Sequence, residues 1–136
     1  MLRKIIAVLA GIISGFLTIE LIENLFQHYT PIQAEIITKN TQFPEAQEWI
    51  DAFPLDRYLY ILIAYLTGSF IAGFITTLLS PQKSLAFLTG FVLLIGGFIN
   101  VMLLPHPIWF ILVSLSIYLP LAYLGGTLGM KLFRKS

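Results

Sequence analysis

The chain is expected to be an all-α, four-helix bundle that crosses a membrane, and three observations lead to that expectation. Four apolar stretches, residues 5–26, 58–79, 85–104 and 108–128, are each long enough at about 1.5 Å of rise per residue to cross a hydrocarbon core of about 30 Å. The composition, 57% hydrophobic and 11% charged with a mean hydropathy of +0.86, leaves too little polar surface to coat a water-soluble globule. A backbone in lipid must also satisfy its own hydrogen bonds, and for an open chain only helices do so. Residues 1–136 therefore read as one polytopic membrane domain surrounded by lipid.

Arg3 and Lys4 resemble the charged start of a signal peptide. The apolar run behind them continues for about 20 residues, beyond the usual 7–15, and no small-x-small cleavage pattern follows it, so the first span is expected to be retained. Gly11, Ser14, Gly15 and Thr18 share one side of this span. Glu20, Glu23, Asn24 and Gln27, spaced i, i+3, i+4 and i+7, share the opposite side, with His28 at its border. A helix with a close-packing side and a polar side is expected to keep little surface for lipid and to make protein contacts on both, one of them open to another subunit. Counted from Lys4, Glu20 lies about 24 Å along the helix, about 6 Å short of the far edge of the core. A carboxylate at that depth suits either a wet outer turn or one wall of a pocket.

Residues 30–57 form the sizeable extramembrane connection. Pro44 can open a short helix that Pro54 stops, with Ala46, Trp49, Ile50 and Phe53 forming an apolar side. Such a helix fits an interfacial anchor, or a lid over a site.

In the second span Gly68, Ser69, Ala72 and Gly73 supply two small-x-x-x-small pairs, and in the fourth Gly125, Gly126 and Gly129 repeat the theme after Pro120, which is expected to bend the helix. The ordinary use of such faces is packing within one bundle; assembly with other chains is the second use. In the third span Asn100 reaches a depth similar to Glu20. His106 follows between Pro105 and Pro107, a turn in which the second proline can open the fourth span and Trp109 can anchor at the interface. His106 also titrates in the range where proton transfer at neutral pH is possible.

Charge sets the expected threading. Arg3, Lys4, Lys83, Lys131, Arg134 and Lys135 fall on one side of the spans, whereas Lys39 and Arg57 share the other with most of the acidic residues. Both termini are therefore expected in the cytoplasm, with the protein multi-pass in the cell inner membrane. Ala64 to Gly68 echoes Ala122 to Gly126, and Ala7 to Gly11 and Ala86 to Gly90 both fit A-x-L-x-G, so the two helical hairpins can be read as parallel-related repeats.

Glu20, Glu23, Asn24, His28, Arg57, Asn100 and His106 form the candidate polar pocket at the outer end, where Arg57 can neutralise a carboxylate and Asn100 can orient one. Gly11, Gly15, Gly68, Gly73, Gly125 and Gly129 are the candidate packing positions. The chain has no cysteine, and no H-x-x-x-H or E-x-x-H pair, so neither a metal nor another cofactor is expected. The serines suit helix packing better than hydrolysis, no catalytic residue is named, and no basic stripe suits nucleic acid.

An acidic residue late in span one (Glu20 or Glu23), Asn100, the string Pro105 to Phe110 (P-H-P-x-W-F) and Pro120 to Gly125 (P-x-A-Y-x-G) together resemble the pattern of a group of small bacterial integral membrane proteins with four spans and no assigned role. The likeness covers nearly the whole chain and implies a four-span membrane protein, with no substrate attached. The functional expectation is a non-enzymatic membrane subunit that assembles through its glycine-rich faces into a homo-oligomer or a larger membrane complex. The alternative is a small proton-coupled carrier or channel with an outward-facing polar pocket.

Overall fold

A computed structural model describes residues 1–29, 55–103 and 106–135. The chain folds into four helices, α1 (Leu2–Tyr29), α2 (Leu55–Leu79), α3 (Lys83–Leu103) and α4 (Ile108–Lys135), with no strand among the described residues. All four are long and apolar enough to cross a membrane, and the protein is a multi-pass, all-α bundle. The short helix expected near Trp49 and the side chains of His28 and Arg57 lie outside the described residues.

Helices α1 and α4 run furthest past the expected spans. At 28 residues each, α1 and α4 measure roughly 42 Å, so they tilt or project beyond a core of about 30 Å. Helix α4 is continuous through Pro120, whose ring is exposed on the outer surface. Helix α2 ends where Pro81, which cannot donate a backbone hydrogen bond, prevents another turn; Gln82 N donates to Ser80 O at 2.8 Å and α3 begins at once.

The order of packing is uneven. Helix α2 packs against α1, α3 and α4, and its closest partner is α4. Helix α1 lies in the groove between α2 and α3, and it meets α4 only marginally. Both hairpins start from the end that carries the two termini, where the Arg3 guanidinium stands 5.5 Å over the Phe133 ring. The hairpins are therefore parallel, but the bundle is asymmetric, since α2 touches α3 while α1 hardly reaches α4. Nor does the sequence echo mark equivalent places. Tyr65 pairs with Tyr118 at a ring separation of 5.5 Å, whereas Tyr123 meets Phe87 at a tilt, close to Lys83 at the terminal end.

Small residues are what allow α2 this central position. A Cβ on Gly73 would overlap the carbonyl of Ala122, and one on Gly125 would overlap the carbonyl of Phe70, so α2 and α4 touch backbone to backbone. Gly129 meets Thr77 and Phe74 in the same seam. On the other side, Gly11 and Gly15 of α1 pack against Thr76 and Ala72, and Gly68 of α2 packs against Ile19. Lipid is as apolar as leucine, so burial gives little net drive for helix association, and close contact supplies the attraction.

The six candidate packing glycines are thus seated within a single chain. The expectation that α1 keeps little surface for lipid does not hold, because Ile5, Leu9, Ile13, Phe16, Leu17 and Leu21 are exposed along it. The polar residues and the glycines occupy two narrow stripes, and this broad apolar surface fills the arc between them.

Gly73→Ala should lower the stability of the protein by about 1–3 kcal/mol in reversible SDS titrations, since a backbone clash cannot be relieved by a rotamer change. Gly96→Ala serves as the contrast: its Cβ would meet only the tip of the exposed Phe16 ring at 2.9 Å, and the change should be close to neutral. Equal effects of the two substitutions would contradict this packing.

Candidate functional site

The buried face of α2 carries a line of hydroxyls. Tyr58, Tyr65, Ser69, Thr76 and Ser80, separated by seven, four, seven and four residues, fall on one stripe and are all buried. Two bonds set the register of α2 against α3. Asn100 Nδ2 donates to Tyr65 Oη at 2.9 Å near the far end, and the Thr76 and Thr89 hydroxyls meet at 2.9 Å nearer the terminal end. In that antiparallel register Ser69 comes level with Gly96, and Ala72 with Leu93.

At the far end each helix contributes one polar group. Glu23 of α1 is half-buried and lies within electrostatic reach of Tyr65 of α2 and Tyr118 of α4, while Asn100 of α3 holds the Tyr65 phenol. Tyr118 is fully buried, with its ring and hydroxyl set against Gly97, where a Cβ would stand only 2.5 Å from Oη. Because Asn100 is the donor in its bond, the Tyr65 O–H remains available to donate in turn. One turn below, Ser69 Oγ is buried with no hydrogen-bond partner among the described residues, an arrangement that ordinarily costs about 1–3 kcal/mol.

An aromatic ladder closes the cluster on the far side. The His106 ring stacks on Phe110 with centroids 5.1 Å apart and an interplanar angle of 10°. Phe110 in turn contacts Tyr58 at 5.0 Å and Tyr65 at 6.4 Å, and Trp109 meets Tyr58 edge-on. His106 thus stands at the same end as Glu23, one ring removed from the Tyr65 phenol.

Nearer the terminal end lies a second polar group. Thr76 and Thr89 each stand within bonding distance of their own helix's carbonyl four residues back, Ala72 O and Leu85 O, as well as of each other. Two hydroxyl protons serve three such contacts, so either threonine can donate across the interface while the other donates to its backbone. The pair has two hydrogen-bond polarities of similar geometry. Thr77 donates from α2 to Gly126 O of α4 at 2.7 Å.

Between the two groups the stripe is apolar. Ser69 and Thr76 are about 10 Å apart along the helix, beyond the reach of a direct hydrogen bond. That interval holds Ala72 and the fully buried Leu93, whose Cδ1 rests against Gly15.

Of the pocket residues expected from sequence, Glu23 and Asn100 meet around Tyr65, and His106 joins them through Phe110. Glu20, one turn from Glu23 and within electrostatic reach of it, is exposed on the outer surface of α1, as is Asn24. His28 and Arg57 lie outside the described side chains. Tyr65, Tyr118 and Ser69 were missed, although the seven-four spacing of hydroxyl residues along span two carries the signal. Among the described residues no group of three or more His, Cys, Asp or Glu is arranged to hold a metal.

A double-mutant cycle tests the central bond. Tyr65→Phe and Asn100→Leu should show a coupling of about 0.5–1.5 kcal/mol in SDS unfolding, the net value of one interhelical hydrogen bond. Strictly additive effects would mean that the amide and phenol do not interact.

Comparison of the chain with family models, with curated proteins and with solved structures returns no match.

Proposed function

We propose that the protein is a small proton-coupled carrier or channel in which Glu23 is the proton-accepting group and Tyr65, Ser69 and Asn100 form its immediate polar surroundings. The observation that carries this reading is the convergence of one polar side chain from each of the four helices at the far end of the bundle, an ionisable carboxyl among them. Ionisable and amide groups in a membrane interior are costly, and they mark ion and proton paths more often than they serve packing. The unpartnered Ser69 hydroxyl suits a group that water or a protonated species engages in passing.

In this reading the stripe on α2 is the path. Protons reach Glu23 from the far side, and water admitted past Leu93 would carry them on beside Tyr65 and Ser69 to the Thr76–Thr89 pair, whose hydrogen-bond polarity reverses as each proton passes. Leu93 is the barrier that prevents an open leak between the two polar groups. Both termini lie in the cytoplasm and the membrane is the cell inner membrane, as the basic residues at the terminal end favour.

A second reading, a non-enzymatic subunit of a homo-oligomer or larger membrane complex, draws on one observation. Glu20 and Asn24 are exposed one turn apart on α1 beside Leu17, Leu21 and Leu25, where lipid tails offer no hydrogen bonds. The contact in that case runs through this polar stripe, because Gly11 and Gly15 are occupied within the chain.

One preparation separates the two readings. In proteoliposomes with a trapped pH-sensitive dye and an imposed potential, wild type should admit protons, Glu23→Gln should fall to the level of empty vesicles, and Leu93→Ala should leak faster. A wild-type rate equal to that of empty vesicles, or full activity in Glu23→Gln, would overturn the carrier reading. Native mass spectrometry in mild detergent that finds an oligomer lost in Glu20→Leu would favour the assembly reading, and a lone monomer would count against it.

A further inference from the structure

The terminal end of the bundle collects six of the eight basic residues, Arg3, Lys4, Lys83, Lys131, Arg134 and Lys135, and no acidic residue among the described ones. Among the six, Arg3 has a distinct setting. Its Nε donates to Leu79 O at 2.7 Å, capping the carbonyl end of α2, where the helix dipole is negative. Its guanidinium also stands over the Phe133 ring of α4 at 5.5 Å. Two contacts from two helices therefore hold in one place an exposed side chain that would otherwise sample many rotamers, and both Nη groups remain outside the bond to Leu79.

Beside this arginine the surface is concave. Leu2, Arg3 and Ile6 of α1 and Leu78 and Leu79 of α2 line an open, mostly apolar groove of about 400 Å³. Leu2 and Ile6 are exposed to the surroundings of the bundle, so the groove opens sideways toward lipid. It lies at the opposite end from Glu23 and shares no residue with that cluster.

We infer that this groove is a binding site for one anionic phospholipid, with an acyl chain lying along Leu2, Ile6 and Leu78 and the headgroup phosphate on the guanidinium of Arg3. Three features specify the occupant. The walls are apolar and face lipid, which selects a hydrocarbon chain. The donor at the mouth is a planar guanidinium already fixed by intraprotein contacts, which matches phosphate geometry and loses less freedom on binding. The five further cations at the same end, where no described residue is acidic, favour a headgroup of net negative charge over a zwitterionic one. The site is independent of proton movement through the bundle and would remain if the carrier reading failed.

The test is native mass spectrometry of the full chain purified with equimolar phosphatidylglycerol and phosphatidylcholine of identical acyl chains. Wild type should retain one phosphatidylglycerol in preference to phosphatidylcholine. Arg3→Ala should reduce that retention about fivefold, the effect of removing one basic contact at a membrane surface. Ile6→Trp, which fills the groove and leaves every charge in place, should reduce it as well, and a circular dichroism melt confirms that each variant is folded. Millimolar inorganic phosphate should leave the lipid bound, as expected for a site that needs the chain as well as the headgroup. Equal retention of the two lipids, full retention in a folded Arg3→Ala or Ile6→Trp, or displacement by inorganic phosphate would each overturn the assignment.

Discussion

The close approach of α2 to its neighbours is the constraint on which the rest of the structure depends. Inside a bilayer there is no water to drive leucines together, so helices hold one another through contact at short range. Gly73 against Ala122, Gly125 against Phe70 and Gly15 against Ala72 bring α2 close to α4 and α1 at its middle, near enough for that contact to act. One helix then lies against three others, and whatever it carries on its inner stripe is removed from lipid.

What it carries is a row of hydroxyls. Two of them bond across the interface with α3: Tyr65 with Asn100 and Thr76 with Thr89. The glycines and the hydroxyls are thus two parts of one arrangement. Without the glycines α2 could not be enclosed, and without enclosure the hydroxyls would have no reason to pair between helices. Leu93 interrupts the row at mid-depth, and this apolar interval divides the interior into an acidic group at the far end and a threonine group nearer the termini.

Much of this was legible in the chain. Length and hydropathy marked four spans, the distribution of Lys and Arg put both termini at one end, and small residues marked the seams. The partners of those seams were not legible, because a glycine face looks the same whether it meets its own chain or another; only the fold shows Gly11 resting on Thr76. Glu20 and Glu23 illustrate a second limit. They share one stripe in sequence, yet three residues at about 100° each leave them about 60° apart around the axis, enough to turn one outward and the other toward Tyr65. Tyr65 and Tyr118 escaped notice because an aromatic in an apolar span reads as packing until a partner for its hydroxyl is known.

The enclosure of α2 within one chain is the central claim, and a cysteine pair tests it directly, since the chain has no cysteine of its own. Thr76→Cys combined with Thr89→Cys, oxidised in native membranes, should form a disulfide across the α2–α3 interface while the protein still migrates as a monomer. If the pair stays reduced, or crosslinks only one chain to another, α2 is not enclosed by its own helices and the buried stripe described above does not exist.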